Sequence, residues 1–262
     1  MLRLKTSPLA IKMLASREGI PPGAKEPLKD FGHHLSTCQV FAMSRRGGGM
    51  IASFKEDMWC PEPVIGYGFE NGLNYLLENH VGVPGIFETE EVCRRWHQSL
   101  PHLEFGKYVG IVAAPLTEVN FQPDVILIYC DPAQLTQLLI AAHWKEGEPI
   151  SGPISGHTAC VWAVVPPLKE RKYQISLPCY GDRRRAMAQD DEMIFSFPAE
   201  KLAGLLSGLR YRDAHGFGFP YAFTMMPEYP LPDFYVRLAK KLGIKGVDKA
   251  KAKKASGKKQ EK

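Results

Sequence analysis

Two stretches of the chain, GHHLSTCQVFAM from Gly32 and SGHTACVWAVV from Ser155, each set a histidine and a cysteine ahead of an apolar run. Each is followed by a second cysteine beside a proline: Cys60 precedes Pro61, and Cys179 follows Pro178. With His34 ahead of Cys38 and His157 ahead of Cys160, the chain twice writes histidine, cysteine, apolar segment, break, strand, cysteine. Four thiolates are the soft ligand set that iron–sulfur clusters and zinc take. The expectation is a metal centre on Cys38, Cys60, Cys160 and Cys179, an iron–sulfur cluster of the 4Fe-4S kind ahead of zinc. His34 and His157 would serve as outer donors or alternative ligands. No CxxC pair, the close spacing of zinc ribbons and ferredoxins, occurs in the sequence. Cysteines so dispersed also fit buried small hydrophobes, or a reactive thiol activated by His157 or by nearby arginines. Cys93 and Cys130 have no counterpart in the repeat and read as core residues.

A second chemistry is written in GDRRR, where Arg183, Arg184 and Arg185 follow closely on Cys179. Guanidinium forks grip carboxylate or phosphate at two points. The competing expectation is therefore a metal-free module that binds an anionic small molecule or cofactor there. Asp182, Asp190, Asp191 and Glu192 lie close by, so an ion-pair cluster is the plainer reading of the same arginines. Neither GxGxxG nor GxxxxGK[ST] occurs, which removes the two common nucleotide loops.

The elements that must bring these residues together read as α/β. LAIKML from Leu9, GMIASF, KYVGIVAAPL, PDVILIYC, KYQIS and EMIFSFP are strand-like. Ser36 or Thr37 starts a short helix through CQVFAMSRR, and Thr89 starts another. Asp131 and Pro132 open the clearest helix, AQLTQLLIAAHW. GMIASFKEDMWC is expected to deliver Cys60 at a strand end, with Pro61 and Pro63 ending the pairing, and Pro166–Pro167 to break the segment after Cys160. The cysteine repeat implies two related βα halves, about 1–115 and 116–242, in a pseudo-two-fold arrangement within one unit of residues 1–242. Residues 243–262 follow as a flexible tail.

That tail holds eight lysines against Asp248 and Glu261, which accounts for the whole net charge of +5 and leaves the remainder near neutrality. Without aromatics it reads as a solvated appendage rather than a specific nucleic-acid surface. No apolar run is long enough to cross a bilayer. The opening residues, broken by Ser7 and Pro8, do not read as a signal peptide, so the expectation is a cytoplasmic protein with reduced thiols. Its partner would be a redox protein or a small anionic molecule.

The segments SPLAIKML, CQVFAMSRRGG, EDMWCP, PDVILIYCDPAQLTQLLIAA, HTACVWAVVPPL, LPCYGDRR and DDEMIFSFPAEKL resemble an uncharacterised family, domain of unknown function 169. The likeness spans Ser7 to about Leu209 and implies a fold and a set of positions rather than an activity. After the Cys-Pro pair, where the family pattern leads one to expect small residues, this chain has Glu62 and Pro63.

Overall fold

The computed structural model describes residues 2–78, 83, 85–220 and 233–244. In chain order the elements are β1 (Leu9–Leu14), α1 (Thr37–Met43), β2 (Ile51–Phe54), α2 (Pro61–Gly66), α3 (Leu73–Glu78), α4 (Glu90–Ser99) and β3 (Gly110–Pro115). They continue with β4 (Val125–Cys130), α5 (Pro132–Glu146), α6 (Ala159–Glu170), β5 (Gln174–Ser176), α7 (Tyr180–Arg185), β6 (Met193–Pro198), α8 (Leu202–Ala214) and α9 (Asp233–Lys241).

The strands form a mixed α/β architecture around one six-stranded sheet of order β2-β3-β1-β4-β6-β5, in which every strand pair is antiparallel. At its centre β1 meets β4, with Leu9 opposite Leu127 and Ile11 opposite Val125. Reading outward from that pair, the first half contributes β1, β3 and β2, and the second contributes β4, β6 and β5.

Continuous apolar runs fit this sheet because both of its faces are covered. Alternate residues point to opposite sides. Leu9, Ile11, Met13, Val125, Leu127 and Tyr129 pack on one face with Val40 and Phe41 of α1 and with α6. Ala10, Ile126, Ile128, Cys130, Phe195 and Phe197 pack on the other with Leu138 of α5 and Leu205 of α8. Helices α5 and α8 approach so closely that a Cβ at Gly208 would lie 2.4 Å from the Ala141 carbonyl oxygen. Cys93 and Cys130 are buried, as core residues should be.

The structure corrects two local expectations. Strand β2 stops at Phe54, and Cys60 is the residue that caps α2. Pro61 opens that helix rather than merely ending a strand, because the first helical residue has no N–H bond to lose. Helix α6 also runs unbroken through Pro166 and Pro167. An interior proline costs a helix about 3 kcal/mol. Here every residue from Ala159 to Pro167 is buried, and packing of that apolar segment on the sheet outweighs the local cost.

By contact the chain divides into two compact units, residues 1–220 and 221–262. In the second, α9 is amphipathic, with Val236 and Ala239 buried and Phe234, Tyr235 and Leu238 exposed. From Lys245 onward the lysine-rich tail lies outside the described residues. Among the described residues no helix is long and apolar enough to cross a membrane.

Candidate functional site

All four cysteines of the repeat sit at helix N-termini, in matching positions. Ser36 caps α1 through a reciprocal bond pair with Gln39, which makes Cys38 the second helical residue. Thr158 precedes α6 and makes Cys160 the second helical residue there. Cys60 is the N-cap of α2 and Cys179 the N-cap of α7. Each half thus supplies one cysteine at the second helical position and one at a cap.

These helix ends converge. The sulfurs of Cys179 and Cys38 lie 3.6 and 3.9 Å from the point where a Cβ on Gly181 would stand. Cys38 and Cys160 are buried, whereas Cys60 and Cys179 are half-buried. The hydroxyl of Ser36 is 2.9 Å from the Cys38 sulfur. The Cys60 thiol donates to Glu62 Oε2 at 3.1 Å, and the Cys179 thiol to Asp182 Oδ2 at 3.0 Å. The Cys179 N–H also donates to that Asp182 oxygen.

This environment keeps every one of these thiols protonated. Burial, then the charge of Asp182, pushes Cys38 up to about 12. The same two causes push Cys179 up to about 11. Burial raises Cys60 further, assisted by Glu62 and by the charges of Cys38 and Cys179. Cys160 is raised chiefly by burial and then by Cys38, Asp182, Cys60 and Cys179, so all four groups act on one another. A thiolate nucleophile needs the opposite environment.

Two carboxylates border the group. Asp182 is 1% exposed, and burial raises its pKa despite opposing hydrogen bonds from Cys179 and the positive charge of Arg45. Tyr129 OH stands 3.5 Å from Asp182 Oδ1, and the Arg45 guanidinium lies 3.8 Å from the centroid of the Tyr129 ring. Arg45 in turn makes a two-point pair with Glu192 at 2.6 and 2.9 Å, both side chains being buried. Burial pushes Glu62 up, yet His157, the Cys60 thiol and a backbone N–H more than offset it and leave its pKa lowered. His157 Nε2 is 3.5 Å from Glu62 Oε1, too long for a well-formed hydrogen bond.

The profile of domain of unknown function 169, described as uncharacterised ArCR, matches residues 1–208. The chain belongs to this family. An uncharacterized protein of Methanocaldococcus jannaschii is 27% identical over 206 residues, which cover 78% of this chain and 86% of the relative. No solved structure matches.

In this member of the ArCR family the histidines of the repeat part company. His157 lies beside Glu62 and against the rings of Phe87 and Trp96, whereas His34 is exposed. The three arginines belong to α7 and are engaged locally. Arg183 donates to the Gln189 carbonyl oxygen and faces Asp190, Arg184 donates to Tyr180 OH, and Arg185 lies 4.8 Å from the centroid of the Trp59 ring. Sequence reasoning missed Ser36, Glu62 and Asp182 as partners of the thiols. Their signal was spacing alone, two or three residues from a cysteine.

The donor set suits soft metals, since the Cys38 and Cys179 sulfurs lie together and the charges of Cys38, Cys60 and Cys179 all act on Cys160. Among the described residues no three His, Cys, Asp or Glu side chains already stand around a common metal position. A single zinc ion would need its sulfurs about 2.3 Å from one point. In a cluster each thiolate binds its own iron, so the sulfurs stay farther apart.

Proposed function

We propose that the chain holds an iron–sulfur cluster on Cys38, Cys60, Cys160 and Cys179, at the junction of two halves descended from one duplicated unit. The reading rests on one observation: both halves place a cysteine at a second helical position and another at a cap, and these thiols act on one another within one buried region. The mirrored strand order supports the duplication. A bound cluster supplies one-electron transfer. The chain's own residues supply four thiols that ionise on binding, N–H groups at four helix ends, and two carboxylates, Glu62 and Asp182, beside the cap cysteines. The role that follows is electron transfer or cluster handling, with a redox protein or small molecule as partner.

The test is anaerobic purification followed by iron and sulfide analysis and absorption spectroscopy. Brown protein with broad absorption near 400 nm, containing iron and sulfide, is expected. Changing any of the four cysteines to serine should sharply reduce metal retention, whereas Cys93→Ser should not. Equal loss at Cys93 overturns the assignment. Colourless folded protein that binds a small organic anion through Arg183, Arg184 and Arg185 would establish the metal-free alternative, and zinc without sulfide the mononuclear one.

A further inference from the structure

We infer that an open cavity of about 490 Å³ beside Cys60 is a binding site for a flat, uncharged, conjugated ring compound. Its size falls in the range of small-molecule sites, roughly 300–1,000 Å³. Cys60 itself forms part of the wall, so a bound ring would lie against the thiol group described above.

The chemistry of the ligand is read from the lining. Trp59 is 43% exposed and Tyr75 is 58% exposed, and both face the cavity. Trp59 is exposed without being loose. Its Nε1 donates to Gln39 Oε1 at 2.9 Å, and the Arg185 guanidinium lies 4.8 Å from its ring centroid. An indole locked from two sides and still open to solvent is a preorganised stacking surface, because little rotamer freedom remains to be lost on binding. Gln39 also completes the cap of α1 next to Cys38, which ties this surface to the thiol group. Met58, Val64 and Ile65 add apolar lining. The charged lining residues, Lys55 and Glu70, pair with each other, so the lining itself carries no unbalanced charge. Apolar walls, aromatic faces and a neutral rim together select a planar uncharged molecule. Only its significance as an electron donor or acceptor rests on the iron–sulfur reading.

The experiment is titration of the metal-free full-length chain with lumiflavin, an uncharged three-ring probe, followed by flavin fluorescence. Saturable binding is expected, and Trp59→Leu should weaken it about tenfold or more, in line with the usual strength of aromatic stacking. Trp59→Phe should retain most of the affinity. Trp144→Leu should be neutral, since Trp144 stacks on Tyr211 and does not line the cavity. An unchanged thermal midpoint for Trp59→Leu would show that the loss is local. No saturation below about 1 mM, or equal binding by wild type and Trp59→Leu, overturns the proposal. Because the titration uses metal-free protein, it fails or succeeds apart from the cluster. Binding that persists in a Cys38→Ser variant unable to hold iron would support the cavity alone.

Discussion

Cys179 offers both its thiol and its backbone N–H to one oxygen of Asp182, at 3.0 and 3.1 Å. A carboxylate so placed opposes ionisation of the sulfur, and after burial it is the largest cause holding Cys179 near 11. Asp182→Asn removes that charge while leaving a carbonyl oxygen for the N–H. The Cys179 thiol should then ionise at lower pH, and Cys38, for which Asp182 is also the second cause, should follow. Each unit of change alters the thiolate fraction tenfold at fixed pH. Iodoacetamide labelling of the metal-free protein across pH, resolved by peptide mass spectrometry, reads the effect. Superimposable profiles for wild type and variant would rule it out.

Stability should fall in alkali. Cys38 and Cys179 ionise near 12 and 11 in the folded chain, against a reference value of 9.0. A folded value above the unfolded one means that the native state keeps its protons longer. The stabilisation is therefore complete below the reference value of 9.0 and declines as pH rises through the folded values. Urea midpoints of metal-free protein should drop steadily from about pH 9 upward. The double variant Cys38→Ser, Cys179→Ser should show a shallower drop, and an equal slope would sink the idea.

The buried pair of Arg45 and Glu192 has the opposite sign. Burial alone would raise Glu192, but the hydrogen bonds and charge of Arg45 prevail and its pKa is lowered. Its contribution is full above the unfolded-state value of about 4.3 and disappears as pH falls through the folded value. Glu192→Gln leaves a guanidinium buried without its counter-charge, at a cost of about 3 kcal/mol, the low end for such a loss because Arg45 borders an open basin. Denaturation should show this deficit at pH 7 and find it shrinking below about pH 4.

Much of the frame was readable without coordinates. The strands starting at Leu9 and Val125 and the helix opened by Asp131 carried unambiguous apolar runs and a complete cap, and they stand where expected. Prolines misled in both directions. Pro61 was legible as a stop but not as the first residue of a helix, since either use leaves the strand ended. Pro166 and Pro167 look like a break unless one knows that the helix is wholly buried, and burial is tertiary information. The cysteines could be paired by their repeat, yet the same repeat implied equal roles for His34 and His157. Among the described residues, only His157 of the two has a carboxylate within reach. Glu62, seen in sequence only as a departure from the family pattern, turns out to be the acceptor for the Cys60 thiol.

Gly181 tests whether Cys38 and Cys179 share an occupant. A methyl at this position would meet the two sulfurs at 3.6 and 3.9 Å, ordinary contact distances that the protein without metal accommodates. Gly181→Ala also favours helix α7, since alanine is the better helix former by up to about 1 kcal/mol. The thermal midpoint of metal-free protein should therefore be unchanged or raised. On the iron–sulfur proposal metal retention should nevertheless fall, because the added methyl crowds both sulfurs. A well-folded Gly181→Ala protein with half the wild-type iron or less would place the occupant against this helix. Full iron content in the same variant would mean that these two thiols bind nothing in common.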